Sequence, residues 1–138
     1  MKVVLDTNII VSGLLSPFGA AGEIMRMVSS GDLRLCFDAR ILDEYKTVLK
    51  RPKFAFNCSH VDCLLEYIER IGEVTAGNPL SLKLRDPDDE PFLESAVSGK
   101  AKYLITRNIK HYPKEQIQGV VVITPEKFLN HYRQIVKK

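Results

Sequence analysis

The feature that most constrains the fold is a short apolar run at the start of the chain that ends abruptly in polar residues. Val3, Val4 and Leu5 are consecutive and mostly β-branched, which is typical of a strand buried on both faces of a parallel sheet. Asp6 follows at once, where that strand is predicted to end. Because ligands of open α/β sheets bind at the carboxyl ends of the strands, this carboxylate is a candidate site residue.

The rest of the chain alternates between strand-like and helix-like segments. Strands are predicted at 3–5, 33–37, 71–75, 102–106 and 119–123, and helices at 9–15, 20–30, 41–50, 59–70, 91–98 and from Pro125 onward. Gly31 and Pro52 mark helix ends, and Ser59 and Thr124 are the expected N-caps. Strands separated by helices indicate a parallel sheet with right-handed crossovers, and therefore an α/β fold.

Length and composition predict one domain over residues 1–138 with an ordinary apolar core. The formal net charge of +3 permits a polyanionic partner without requiring one. The three cysteines, Cys36, Cys58 and Cys63, lack the second Cys/His pair of a structural zinc site, so reduced thiols are the preferred interpretation. The sequence carries no recognisable signal segment and no apolar stretch near ~20 residues. We therefore expect a cytoplasmic protein that does not span a membrane.

Carboxylates fall near the predicted carboxyl edge of the sheet in three separate places. Asp6 follows the first strand, Glu44 lies in the helix after the second strand, and Asp89 begins the helix that leads to the fourth. Carboxylates that converge repel one another unless a cation lies between them. Oxygen ligands of this kind suit Mg²⁺ or Mn²⁺, and such a metal activates water for attack on a phosphodiester.

Each acid also has a simpler interpretation when it is taken alone. Asp6 is compatible with an N-cap of the following helix, and Glu44 with a solvated helix residue. Asp86, Asp88 and Asp89 are compatible with loop residues that complement a helix dipole. Their joint placement at one edge of the sheet favours a metal site.

Four segments carry a family resemblance: Val-Leu-Asp-Thr-Asn at 4–8, Ile-Leu-Asp-Glu-Tyr at 41–45, Asp-Pro-Asp-Asp-Glu-Pro-Phe-Leu-Glu-Ser-Ala at 86–96, and Tyr-Leu-Ile-Thr-Arg-Asn at 103–108. In this order they resemble the PIN domain, most of all its VapC-like members, the toxins of toxin–antitoxin systems. The resemblance covers nearly the whole chain. It implies a three-layer α/β/α fold with a five-stranded parallel sheet in the order 3-2-1-4-5, and a homodimer.

The activity that the resemblance implies is that of a Mg²⁺- or Mn²⁺-dependent endoribonuclease. Its catalytic and metal-binding acids correspond to Asp6, Glu44 and Asp89. Asp89 is preferred to Asp88 because Ala96 follows it at the family's spacing of seven residues. The supporting polar residues are Thr7, Asn8, Thr106 and Asn108.

The chain departs from the family pattern at its fourth acid. Many members have an aspartate where this chain has Asn108, and some have one three residues later, where this chain has His111. An amide oxygen still binds a hard cation but brings no charge. This departure motivates an alternative, a catalytically weakened RNA-binding or scaffold protein that keeps the PIN fold.

The predicted partners are an RNA substrate and an antitoxin protein. Phosphate neutralisation dominates nucleic-acid affinity, so cations close to the acids are the candidate RNA contacts. Apolar surface around Phe54 and Phe56 is a candidate docking site for a partner subunit or an antitoxin peptide. The predicted RNA-binding residues are Arg107, Lys110 and Lys46, with Lys50, Arg51 and Lys53 flanking the helix that bears Glu44.

Other functions on a similar sheet fit the sequence poorly. A phospho-acceptor receiver domain needs an acidic pair after the first strand, and a haloacid-dehalogenase site needs Asp-x-Asp there. This chain has Thr7 and Asn8 after Asp6. A dinucleotide site needs a glycine-rich turn, which does not follow the first strand.

Overall fold

Strands and helices alternate along the chain in the computed structural model, which describes residues 1–137. The strands are β1 (Lys2–Leu5), β2 (Arg34–Phe37), β3 (Glu73–Val74), β4 (Tyr103–Ile105), β5 (Gln116–Ile117) and β6 (Val120–Ile123). The helices are α1 (Thr7–Leu15), α2 (Ala20–Ser30), α3 (Ala39–Leu49), α4 (Cys58–Ile71), α5 (Glu90–Ser98) and α6 (Pro125–Lys137). Short 3₁₀ turns lie at Pro52–Phe54, Pro87–Asp89 and Ile109–His111.

The strands form one sheet in the order β3-β2-β1-β4-β6-β5. All neighbouring pairs are parallel except β5 with β6. The predicted α/β fold and its parallel sheet are therefore confirmed, with β6 as the fifth strand of the order 3-2-1-4-5. The short antiparallel strand β5 was not predicted and extends the sheet at one edge.

The sheet is covered on both faces. Val3, Val4 and Leu5 are all fully buried, and successive side chains of a strand point to opposite faces. Leu104 and Ile105 are fully buried in the same way on β4. Helices on both sides of the central strands account for this burial, as a three-layer arrangement requires.

The register of the two central strands brings the residues that follow them together. Leu5 pairs with Ile105, and the backbone N–H of Asp6 donates to the carbonyl of Ile105 at 3.1 Å. Asp6 and Thr106, each one residue further along, therefore leave the sheet side by side at its carboxyl edge.

The structure corrects the predicted start of one helix and of one strand. Helix α4 begins at Cys58, and its N-cap is Asn57 rather than Ser59, because the Asn57 side chain accepts from the His60 N–H at 3.2 Å. Gly119 does not begin a strand but lies in the turn between β5 and β6, with φ of 86°. Gln118, at φ of 50°, precedes it, and two consecutive positive φ values are typical of a tight hairpin turn.

The predicted cap of the last helix is confirmed. The Lys127 N–H donates to Thr124 Oγ1 at 3.3 Å, and Pro125 is the first helical residue, where its missing N–H costs no hydrogen bond. Gly31 ends α2 in the left-handed region, with φ of 89°, as its position in the sequence predicts.

Within residues 1–137, no helix taken singly has the length and hydropathy to cross a membrane. Helices α1 and α2 reach this length and hydropathy only when they are counted as one segment, although the two helices are bent by 102° relative to each other.

Candidate metal centre

Asp6 is buried at the carboxyl end of β1 and is held by a threonine from the neighbouring strand. Only 7% of Asp6 is exposed. Thr106, which is fully buried, donates from Oγ1 to Asp6 Oδ2 at 2.8 Å. The Asp6 side chain makes no capping hydrogen bond to α1. Its carboxylate is therefore held mainly by Thr106, and the backbone N–H groups of Thr7 and Asn8 at the start of α1 lower its pKa to a smaller extent.

Glu44 reaches the same place from α3. Thr7, the first residue of α1, donates a short hydrogen bond from Oγ1 to Glu44 Oε2. The adjacent Tyr45 is fully buried, and its hydroxyl donates to the Leu5 carbonyl at 2.6 Å. Because Leu5 is the last residue of β1, this bond ties α3 to the end of the central strand and sets Glu44 beside it.

Asp89 comes from the segment before α5 and is paired with a histidine. His111 Nδ1 lies 2.8 Å from Asp89 Oδ2. Asp86 joins them: one ligand atom from each of the three side chains lies within 4.8 Å of the others. Asp86 Oδ1 also accepts from the Asp88 N–H at 3.0 Å, which fixes the turn that presents Asp89.

These side chains line one cavity of about 260 Å³ at the carboxyl edge of the sheet. Acids and polar groups make up most of its wall, and a short basic and aromatic stretch completes it. The lining residues are Asp6, Thr7, Asn8, Glu44, Asp86, Asp88, Asp89, Asn108 and His111, with Val48, Arg51, Lys53, Phe54 and Phe92.

The three predicted acids resist ionisation in this cavity. The pKa values of Asp6, Glu44 and Asp89 all lie above their ordinary values, and burial is the largest cause for each. A hydrogen bond to each acid lowers its pKa in part. The charge of Asp89 raises the pKa of Asp6, that of Asp6 raises the pKa of Glu44, and that of Glu44 raises the pKa of Asp89. A cation between them would remove this mutual repulsion.

The donor set has the chemistry that a small divalent cation needs, although among residues 1–137 only Asp86, Asp89 and His111 have ligand atoms within 4.8 Å of one another, and Asp6 and Glu44 line the same cavity outside that group. Among the described residues, no lysine or arginine forms an ion pair with Asp6, Glu44 or Asp89, so their charge is not neutralised by the chain's strong bases. Carboxylate and amide oxygens are the ligands that Mg²⁺ and Mn²⁺ take in proteins. The imidazole of His111 adds one nitrogen, a ligand that hard cations such as Mg²⁺ seldom take.

The predicted supporting residues fall at this cavity. Thr7, Asn8 and Asn108 line it, and Thr106 lies beneath Asp6. Thr106 also accepts the Asn108 N–H at 3.0 Å on the same Oγ1 that donates to Asp6. One threonine hydroxyl therefore fixes both the buried acid and the loop after β4.

The predicted RNA-binding cations lie away from the cavity wall. Arg107 forms an ion pair with Glu126 at 2.9 Å. Lys46 lines a different cleft, between α3 and α4. Lys110 is exposed in the 3₁₀ turn after β4 and is not part of the wall. Their role in RNA binding stays a prediction.

Sequence reasoning did not assign Asp86 and His111 to the metal. The sequence favours a loop role for Asp86, and it places His111 both at the position of a missing acid and among the basic residues that follow the fourth strand beside the site. A signal for both was present. Asp86 lies three residues before Asp89, and His111 lies in the segment that follows β4, whose carboxyl end faces the same edge.

Comparison with known families and proteins identifies similar chains. A family model described as PIN domain matches residues 2–110. This span contains Asp6, Glu44, Asp89 and all four predicted supporting residues. A relative, an uncharacterised protein of Methanocaldococcus jannaschii, is 26% identical over 146 residues, which cover 99% of this chain and 94% of the relative.

Among solved structures, the chain is similar to one in the crystal structure of VapBC2 from Rickettsia felis bound to a DNA fragment from their promoter. The TM-score is 0.57 at 14% sequence identity, and the alignment covers 90% of this chain and 98% of the other. At this identity the likeness establishes a shared fold.

Proposed function

The chain belongs to the PIN domain family, and from that premise we propose that it is a metal-dependent endoribonuclease that hydrolyses RNA phosphodiesters. PIN domains are typically nucleases. The observation that carries the proposal is the convergence of Asp6, Glu44 and Asp89 in one cavity. They come from three separate parts of the chain, and each is hydrogen-bonded by a side chain distant from it in sequence: Asp6 by Thr106, Glu44 by Thr7 and Asp89 by His111.

We propose Asp6, Glu44 and Asp89 as the residues that would hold Mg²⁺ or Mn²⁺, with Asp86, Asn108 and His111 within reach. When bound, such an ion would neutralise phosphate charge and would make a bound water more acidic, and so a better nucleophile, than bulk water.

The chain's own contribution is to hold the acids in place and to keep them partly dehydrated. Thr106 and Thr7 each donate a hydrogen bond to a carboxylate oxygen, which favours the ionised form that a cation needs. Burial raises the pKa of each of the three acids, so a bound cation would stabilise their ionised forms more than it would at an exposed site. Outer contacts of this kind typically change metal affinity or activity about 10–100-fold.

We further propose that the protein is the toxin component of a toxin–antitoxin system, with an antitoxin protein as partner. The resemblance to VapC-like proteins supports this, as does the shared fold with a chain of VapBC2. The same resemblance supports a homodimer and a cytoplasmic location.

The alternative, an RNA-binding or scaffold protein with a weakened site, rests on Asn108. An amide in place of a carboxylate lowers the charge that holds a second cation. The two proposals differ in whether metal-dependent cleavage occurs, because both allow RNA to bind.

We expect the wild-type protein to cleave members of a panel of RNAs in Mn²⁺ or Mg²⁺ and to lose this activity in EDTA. Asp6→Asn should lower the cleavage rate by about 100-fold or more, because loss of a direct ligand exceeds the 10–100-fold effect of an outer contact. The substitution preserves an oxygen for Thr106. The assay is the rate of product formation from end-labelled RNA.

The matched control is Asp43→Asn, which removes an exposed carboxylate one residue from Glu44 on the same helix. It should cleave at the wild-type rate. Cleavage by Asp6→Asn at the wild-type rate would contradict the proposed mechanism, and absence of cleavage by the wild type across the panel would favour the scaffold alternative.

A further inference from the structure

The cavity that holds the acids has a second, chemically different part. Arg51, Lys53 and Phe54 line it beside the carboxylates and belong to the short segment that follows α3. We propose that Phe54 stacks on one unpaired base of the RNA strand whose phosphodiester lies at the acids, while Arg51 and Lys53 contact the neighbouring phosphates. This inference rests on the proposed ribonuclease function and names the form of substrate that the site accepts.

The aromatic ring is held in a fixed orientation. Phe54 is half-buried and stacks on Phe56, with ring centroids 5.6 Å apart and an interplanar angle of 15°. The segment is closed by two backbone hydrogen bonds, from the Phe54 N–H to the Arg51 carbonyl at 3.2 Å and from the Ala55 N–H to the Pro52 carbonyl at 3.0 Å. A ring that is fixed before binding loses little conformational freedom when a base stacks on it.

The neighbouring cations are available to a phosphate backbone. Within residues 1–137, neither Arg51 nor Lys53 forms an ion pair, and both are exposed. The charge of Arg51 lowers the pKa of Glu44, so its guanidinium acts at the edge of the acidic cluster. The Lys53 ammonium lies over the Phe54 ring, 5.1 Å from its centroid, so a base that stacks on that face takes the place of this exposed, flexible side chain and leaves its charge for a phosphate. Positive charge beside an aromatic ring is the usual composition of a surface that binds single strands.

The placement of these groups favours an unpaired nucleotide. A base in a duplex is paired and stacked on both faces, whereas a base in a loop or single strand has a face free for an aromatic side chain. Because the ring and the acids line the same cavity, the stacked base lies close along the strand to the phosphodiester that is cut. A peptide is less well matched, since its backbone carries no charge for Arg51 and Lys53 to neutralise.

The test uses single-turnover cleavage of an end-labelled RNA that the wild-type protein cuts, measured over a range of protein concentrations. Phe54→Leu keeps an apolar side chain but removes the aromatic face. It should raise the half-saturating protein concentration about tenfold or more, within the range expected for one stacked base. Phe54→Tyr should restore the wild-type value. The matched control, Phe18→Leu, changes a ring that is 97% exposed outside the cavity and should have no effect.

A second arm replaces single bases near the cleavage position by abasic sites. One such position should weaken binding to the wild type about as much as Phe54→Leu does, and should have no further effect on that variant. The inference would be overturned if Phe54→Leu and Phe18→Leu had the same half-saturating protein concentration. It would also be overturned if the abasic site weakened binding to Phe54→Leu as much as it weakens binding to the wild type. Either result would leave the ribonuclease proposal intact. Failure of the wild type to cut any RNA would instead overturn the proposed function and this inference together.

Discussion

At the scale of single residues, the carboxylates of the cavity are placed where they are hard to ionise. Burial and the charge of Asp89 raise the pKa of Asp6, and the Thr106 hydroxyl and the backbone N–H groups of Thr7 and Asn8 offset this only in part. A group whose pKa is higher in the folded protein than in the unfolded chain adds stability below its unfolded pKa, about 3.8 for Asp6. That stability is lost as the pH rises through the folded pKa. The metal-free protein is therefore expected to lose stability from this site on going from acid to neutral pH.

We expect Asp6→Asn to be more stable than the wild type in EDTA at pH 7 to 8, by a few degrees in Tm, because it removes a buried charge and keeps an acceptor for Thr106. The difference should shrink as the pH falls and approach zero only well below 3.8, the pKa of Asp6 in the unfolded chain, where Asp6 is protonated in the folded and unfolded states alike. Thermal unfolding followed by circular dichroism across this pH range measures it. Asp43→Asn should show no such trend, and a pH-independent difference for Asp6→Asn would contradict the assigned cause.

The sequence was informative about acids that follow strands and less so about residues in loops. Asp6 and Thr106 could be predicted because the end of a buried strand fixes their position. Asp86 and His111 carry a weaker signal, their positions near Asp89 and after β4, because their meeting depends on how two irregular segments fold towards each other. Lys46 was assigned to the RNA surface by its nearness in sequence to Glu44, but two residues along a helix point away from each other, and it lies in another cleft.

At the scale of secondary-structure elements, one ion-pair network joins the two helices that carry or follow the acids. Arg40 on α3 contacts Asp38 at 2.7 Å and Glu94 on α5 at 2.8 Å. The Glu94 side chain is only 8% exposed. Glu44 lies on the first of these helices and Asp89 directly precedes the second. The network therefore fixes the distance between two of the three acids.

We expect Arg40→Met to destabilise the protein by about 1–3 kcal/mol, because it leaves the buried Glu94 carboxylate without a partner. The estimate is lower than for a fully buried pair because about half of the Arg40 side chain, 48%, is exposed. Chemical denaturation measures the change. The same variant should weaken Mn²⁺ binding, since α3 and α5 lose their ion pair and keep only apolar packing such as that of Tyr45 on Phe92.

The control for this variant is Arg133→Met, which breaks an exposed ion pair with Glu23. It should change stability by less than about 1 kcal/mol and leave Mn²⁺ binding unchanged. If Arg40→Met behaved like Arg133→Met in both measurements, the network would have no role in positioning the acids.

Most elements could be predicted from hydrophobic periodicity, and β5 shows why one could not. It is two residues long and pairs only with β6 across the turn at Gln118 and Gly119. Gln-Gly is a weak turn signal beside Asn-Gly or Asp-Gly, and two residues are too few for an alternating pattern to be recognised. The start of α4 was misplaced by one residue because Asn57 and Ser59 are both good caps, and only the geometry selects between them.

At the scale of the whole molecule, the parallel sheet explains why residues far apart in sequence meet in one cavity. The carboxyl ends of β1 and β4 lie side by side, and the segments that follow them, together with α3 and the turn before α5, surround the same space. The family to which the chain belongs and the chemistry of the cavity both support the proposal that this acidic cluster binds a divalent cation.

The most direct test is a titration of Mn²⁺ into the metal-free protein at pH 7, followed by calorimetry and by the paramagnetic resonance signal of free Mn²⁺. The wild type and Asp43→Asn should bind Mn²⁺ with the same affinity. Asp6→Asn should bind it about 100-fold or more weakly, because a direct ligand is lost. Absence of Mn²⁺ binding by the wild type at millimolar metal, or equal binding by Asp6→Asn, would contradict the account.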